Sequence, residues 1–150
     1  MVNYNIALLS LPAYYVLVFF PHAYAMNILT AADKTAYKNG NPRSHSAHGV
    51  IQKTLSPPQL ARYERAKAAH TNGHESFPLF ATAIVVGSMA GVDEKIMSAF
   101  AIGSVAMRAL YTALYINTEK EEKSVFRSLV WITKTAAALG VIIAAGLTTA

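Results

Sequence analysis

RAKAAHTNGHESFPLFATAIVVGSMAGV, residues 65–92, changes character at Phe77. Before that point stand basic residues, two histidines, Asn72 and Glu75; after it comes a run suited to lipid. The apolar part alone is too short to cross about 30 Å of hydrocarbon as a helix, so a span must take in about one turn of the polar residues before it. Asn72 and Glu75 are then drawn to the edge of a membrane span covering about residues 72–92. At 100° per residue Arg65, Ala69, Asn72 and Ser76 share one helix face, with Glu75 on its shoulder, whereas His70 and His74 point elsewhere. Pro78 removes the backbone bond to the carbonyl of His74, so a bend or loosened turn is expected where the polar residues end.

Outward from that stretch, the chain has 53% hydrophobic and 14% charged residues, outside the usual soluble balance. Three more apolar runs have spanning length, at about residues 6–26, 96–116 and 128–147. The reading is an all-α membrane protein, a single integral-membrane domain over residues 1–150 built as a four-transmembrane-helix up-down bundle. Ala23-Tyr24-Ala25 is similar to a signal-cleavage site, but the first run lacks a positively charged lead and is long, so it reads as a span. The connection from Asn27 to about Pro58 is polar and turn-rich, and reads as the least regular part of the chain. The one from Gly91 to Lys95 forces an antiparallel hairpin with Asp93 as N-cap, and Asn117 to Ser124 is a solvated charge cluster.

Lys34, Lys38, Arg43, Lys53, Arg62, Arg65 and Lys67 lie between spans one and two, and Lys120, Lys123 and Arg127 around the third connection, against Lys95 alone on the opposite side. By the positive-inside rule the first and third connections face the cytoplasm. The net charge of +5 is scattered among apolar segments with no basic stripe interleaved with aromatics, so nucleic acid is not an expected partner. There is no cysteine, which excludes disulfides, thiolate metal sites and a cysteine nucleophile.

The third span places Arg108, Tyr111 and Tyr115 within about 60° of one another. An arginine near a span centre costs roughly 2.5 to 3.5 kcal/mol on insertion scales and should face protein, an acid or a water-filled site; Glu75 is the expected partner. Such a pair could equally lock two helices together without other purpose. In the fourth span Arg127, Trp131 and Lys134 share a face with Ser128 beside it, where snorkelling and interfacial anchoring compete with a site role. His45 and His48, and His70 and His74, have spacings that could bring imidazoles to a metal. The order is not His-Glu-x-x-His and no further carboxylate completes a set, so no metal site is expected. Neither a Gly-x-Ser-x-Gly nucleophile turn nor a Gly-rich phosphate loop occurs.

Residues 65–83 resemble the second-helix motif of the MAPEG family, the membrane-associated proteins of eicosanoid and glutathione metabolism, whose pattern is close to Arg-x-x-Arg-Ala-His/Gln-x-Asn-x-x-Glu-x-x-Pro. The likeness lies in Asn72, Glu75 and Phe77-Pro78-Leu79-Phe80. It is supported by Arg108, Tyr111 and Tyr115, which resemble the family's Arg-x-x-Tyr/His-x-x-x-Tyr in the next span, and it reaches closest to microsomal glutathione transferases and leukotriene synthase. The resemblance implies a homotrimer in the endoplasmic reticulum or microsomal membrane, surrounded by lipid, with glutathione held between subunits and open to the cytosol. It implies that Arg65, Asn72, Glu75, Arg108, Tyr111 and Tyr115 contact glutathione. It further implies that Arg127, with Tyr115 or Ser128, activates the thiol for attack on a lipophilic small-molecule electrophile or hydroperoxide. Two positions depart from the pattern: the second arginine of the motif is Ala68, and a tyrosine that follows the glutamate in some members is Ser76. A non-enzymatic lipid-binding or regulatory protein on the same scaffold is the alternative these departures favour.

Overall fold

The computed structural model describes residues 5–37, 39–42, 44–119 and 124–148. Within them the chain forms five helices and no strand: α1 (Ile6–Ala32), α2 (His45–Thr54), α3 (Pro57–Met89), α4 (Glu94–Asn117) and α5 (Ser124–Thr148). Local chemistry sets the ends. Asn5 caps α1 by accepting from the Leu8 amide at 3.0 Å, and α3 starts with Pro57 behind a Ser56–Gln59 capping box. It stops in a Schellman turn at Gly91, whose φ of 72° is the left-handed conformation glycine tolerates. There the Val92 amide donates to the Gly87 carbonyl at 3.0 Å and the Gly91 amide to that of Ser88 at 3.4 Å. Asp93 then caps α4, accepting from Lys95 and Ile96, as the sequence predicts.

One expectation needs correction. The connection after the first span is more regular than its composition suggests: α1 continues to Ala32, and α2 occupies ten residues of the remainder. Ser44 caps α2 by accepting from the Ala47 amide at 3.1 Å, and the helix buries Ala47 and Ile51, one turn apart. Helix α3 runs on through Pro78 to Met89. Lys38, Arg43, Lys120 and Lys123, part of the charge bias, lie outside the described residues.

Helices α1, α4 and α5 are long and apolar enough to cross a membrane. Helix α3 is the longest at 33 residues, roughly 50 Å, with its apolar part confined to the C-terminal portion. Cross-helix contacts fix the directions. Tyr14 stacks on Phe80 while Arg62 lies against Tyr24, so α1 and α3 run antiparallel. Arg108 reaches Ala69 while Arg62 reaches Asn117, so α3 and α4 do too. Arg127 covers Tyr115 while Lys134 nears Tyr111, which orients α4 against α5 in the same way.

The interior is divided along the bundle axis. One apolar cluster contains Tyr14, Phe80, Ile84, Met97 and Val141; the other contains Leu29, Ile51, Leu55, Tyr63 and Ile116. Between them lies a polar layer around Arg108, the largest fully buried side chain. The outer surface is apolar as well: Val16, Phe19, Phe20, Ile102, Ile132 and Ile143 are all exposed. A water-soluble helix would bury such a stripe; in a bilayer the outward face meets lipid at no hydrophobic cost.

Candidate functional site

The polar layer is built on Gly73. A Cβ there would stand 2.9 Å from Val18 Cγ1 and 3.3 Å from Arg108 Cζ, so the absence of a side chain lets α1 and the guanidinium close on the α3 backbone. Arg108, 0% exposed, uses that approach. Its Nη2 donates to the Ala69 carbonyl at 2.8 Å and its Nη1 to Asn72 Oδ1 at 3.4 Å, while Nε is buried without a partner. Glu75 is not the counter-ion expected from the sequence. It lies on the shoulder of its helix face and is exposed, and Arg108 meets a backbone carbonyl and an amide instead. A carbonyl oxygen has two lone pairs, so that of Ala69 can serve both the helix and Arg108.

A second cation is buried nearby. Lys134 of α5 is 7% exposed, and its ammonium donates to the Tyr14 hydroxyl at 3.3 Å. Both cations approach the same ring: Arg108 Cζ lies 5.2 Å and Lys134 Nζ 5.8 Å from the centroid of Tyr111. Tyr111 and Tyr115 are 5.6 Å apart, and Arg127 covers the far side of the pair, its Cζ 4.2 Å from the Tyr115 centroid. Among the described residues no carboxylate pairs with Arg108 or Lys134. The bundle thus buries two cations against phenols, an amide and a carbonyl, an arrangement suited to an anion.

Two cavities open on this layer. One, of about 370 Å³, is lined by Asn72, Tyr111, Tyr115, Arg127, Ser128, Trp131 and Ile132. The other, of about 250 Å³, runs between α3, α4 and α5 past Glu75, Ser76, Phe80 and Trp131 to Tyr14 and Lys134. Asn72 and Trp131 belong to both walls, so the two adjoin. Six of the residues singled out from the sequence, on three helices, therefore converge on one cavity. Arg108 lies behind it through Asn72, and Glu75 lines the neighbouring one.

Arg65 stands apart. Its Nε donates to the Ile116 carbonyl at 2.9 Å and its Nη2 to Glu119 at 3.1 Å, which ties the first turns of α3 to the end of α4. At the departures, the Ser76 hydroxyl turns back to the Asn72 carbonyl at 2.7 Å, and Ala68 is half-buried. His70 and His74 have rings 4.5 Å apart, and His70 Nδ1 lies 2.9 Å from the Val18 carbonyl. Among the described residues no three His, Cys, Asp or Glu side chains group to hold a metal.

Sequence reasoning did not assign Tyr14 or Gly73 to the site, and it placed Lys134 on the face of Arg127 and Trp131 without giving it a role. The signal for Lys134 was its position about ten residues into an apolar helix. Tyr14 gave none, since a tyrosine in an apolar run looks like any lipid-facing aromatic.

No characterised protein sequence and no solved structure matches the chain. The sequence model of the MAPEG family matches residues 8–147. That match takes in all but the outermost residues of the five helices and both motifs, and the chain belongs to the MAPEG family.

Proposed function

We propose that the protein is a membrane-bound glutathione transferase with peroxidase capacity, a homotrimer of four-span subunits whose site faces the cytosol in the endoplasmic reticulum or microsomal membrane. Membership of a membrane family that includes glutathione transferases supports this reading. The observation that carries it is the Arg127 guanidinium 4.2 Å over the Tyr115 ring, at the mouth of a cavity that Asn72, Tyr111 and Ser128 also line. The donor set fits glutathione, a peptide with two carboxylates, an ammonium and a thiol. Arg127 supplies a cation for its carboxylates or thiolate, and Arg108, buried behind Asn72, adds positive charge to that wall of the cavity. Asn72 offers amide hydrogen bonds, and Glu75, exposed beside the cavity, can take the ammonium.

A free thiol is only a few per cent ionised at neutral pH. Lowering its pKa by about two units, a differential stabilisation of roughly 2.7 kcal/mol, leaves most of it as thiolate. Arg127 supplies positive charge for that purpose, with Tyr115 or Ser128 donating a hydrogen bond to sulfur. The sulfur comes from glutathione, consistent with a chain that has no cysteine. In the four-span arrangement α3 is the second span, its apolar end in lipid and its polar start in the cytosol alongside α2. Purified Arg127→Ala and Tyr115→Phe variants should lose most conjugation of chlorodinitrobenzene; wild-type rates in both would overturn these roles.

The alternative, a non-enzymatic lipid-binding or regulatory member, is favoured by Ala68 and by the Ser76 hydroxyl, which bonds back to its own helix. Titration of the protein in micelles with glutathione separates the two. Binding at millimolar concentration or tighter supports the transferase, and no heat or displacement at that concentration supports the alternative.

A further inference from the structure

A further cavity, of about 440 Å³, lies between α1 and α4 and shares no residue with the two that open on the polar layer. The two helices run in the same direction, each antiparallel to α3, so matching ends of α1 and α4 stand at the same level. Tyr24 and Asn117 mark one end of the groove, where Arg62 of α3 joins them, and Leu17 and Ala109 mark the other. Seven positions of α1 and eight of α4 separate these ends, a length of roughly 10–12 Å.

The walls differ in kind. On α1, Phe20 and Tyr24 are one turn apart and stack, ring centroids 6.4 Å apart, into a continuous aromatic surface. On α4, Ala109 and Ala113 are also one turn apart and exposed, while Leu110 beside them is 50% exposed and projects outward. The result is a recess one side chain deep in a face that meets lipid, enough for a hydrocarbon chain but not for a helix about 10–12 Å across. Only the end next to the first and third connections is charged. There the Arg62 guanidinium lies 5.8 Å from the Tyr24 ring and donates to Asn117 Oδ1 at 3.3 Å, which holds it over the mouth of the groove. It is exposed, and among the described residues no acid pairs with it, whereas Arg65 one turn on is engaged by Glu119. An anchoring arginine needs only to reach the interface; this one also stands at the head of an apolar slot, with guanidinium donors left over.

We propose that this groove holds one phospholipid of the adjacent leaflet, its phosphate on Arg62 and one acyl chain along Phe20 and Tyr24 above Ala109 and Ala113. A phosphodiester carries the anionic oxygens that a guanidinium fork binds in pairs. The acyl chain fills a recess whose lining would otherwise lack contacts on one side. Arg62 also lies at the end of the bundle that carries the basic residues of the first connection, and a negatively charged leaflet surface attracts such residues. The inference is independent of glutathione and holds for a transferase and a non-enzymatic member alike.

The test is native mass spectrometry of the purified full chain released from micelles, with palmitoyl-oleoyl phosphatidylglycerol added in steps. Wild type should bind one lipid per subunit in a saturable step. Arg62→Gln should weaken that step about fivefold or more. Ala113→Phe, which fills the recess, should abolish it, and Ala109→Phe should do the same if Ala113→Phe fails to fold. Leu110→Phe, outside the groove, should bind as wild type does. Unchanged lipid affinity in folded Arg62→Gln and Ala113→Phe overturns the proposal, as does the absence of a saturable step in wild type. Dioleoylglycerol bound as tightly as the phospholipid removes the role of Arg62, and displacement of the lipid by millimolar inorganic phosphate makes the site one for a free anion; either result overturns it. So does an oligomer that falls apart in Ala113→Phe while wild type carries no lipid, which would assign the groove to a second copy of the chain.

Discussion

Replacing Arg108 by methionine separates a structural lock from a ligand site. Arg108 is fully buried, with one short hydrogen bond to a helix carbonyl, one of 3.4 Å to Asn72, and a third N–H group with no partner. The short charge-assisted bond contributes about 1.5–3 kcal/mol. Taking the guanidinium from a hydrated denatured state into a span interior costs about 2.5–3.5 kcal/mol on insertion scales. The two nearly cancel, with desolvation ahead. Methionine fills most of the same volume, carries no charge and adapts to irregular gaps. Arg108→Met should therefore leave the unfolding free energy unchanged or raise it by up to roughly 2 kcal/mol. It should also weaken glutathione binding about tenfold, because Asn72 in the cavity wall loses the guanidinium that holds it and the wall loses a positive charge. Trp131, the single tryptophan, lines both cavities and serves as the fluorescence reporter for unfolding by sodium dodecyl sulfate in mixed micelles. Glutathione titration under the same native conditions gives the affinity. A loss of stability of about 3 kcal/mol or more, the range for breaking a buried partnered charge, would show that Arg108 is a lock between α3 and α4 and would refute this reasoning. Undiminished glutathione affinity would refute it independently.

Three further outcomes follow from the packing. Gly73→Ala gains about 1 kcal/mol of helix propensity but forces a methyl against Val18 and Arg108, an overpacking cost of about 1–3 kcal/mol. It should lower stability by up to about 2 kcal/mol in the same unfolding assay, while Gly140→Ala, with nothing within 4 Å of its would-be Cβ, should not. Arg65→Ala should cost about 1 kcal/mol through its bond to the Ile116 carbonyl. Glu119→Ala should fall within about 0.5 kcal/mol of wild type, because that pair is exposed on the acid side. Ser44→Ala should cost about 1 kcal/mol locally, and faster amide exchange confined to α2 would register the lost cap.

The legible part of the site was that which helical periodicity alone dictates. Arg108, Tyr111 and Tyr115 had to share a face of α4, and Asn72 had to share one with Ala69 and Ser76 on α3, whatever those helices touched. Tyr111, Tyr115, Arg127, Ser128 and Asn72 then met in one cavity because antiparallel neighbours bring matching levels of their helices together. The pairing of Glu75 with Arg108 was inferred from charge alone and did not form. Charge says that an arginine needs partners but not which oxygen stands closest, and closeness here depends on the missing side chain of Gly73. Helix α2 was read as irregular because a ten-residue polar helix has too little apolar surface to announce itself. It persists because Ala47 and Ile51 pack into the cluster around Leu29 and Tyr63 or beside it.

By itself the sequence determined that the chain is helical and suited to a membrane, that its family is MAPEG, and which residue types gather at the edge of the second apolar run. These follow from composition, run length and the 3.6-residue period, properties that each segment carries without its neighbours. Only the tertiary structure decided that Arg108 lies on the α3 backbone, that Lys134 meets Tyr14 across 120 residues of chain, and that both cations flank one tyrosine ring while no acid among the described residues pairs with either. Those facts depend on which helix faces meet and at what height. The interhelical packing that sets them rests on where a glycine permits close approach, and no single segment encodes it.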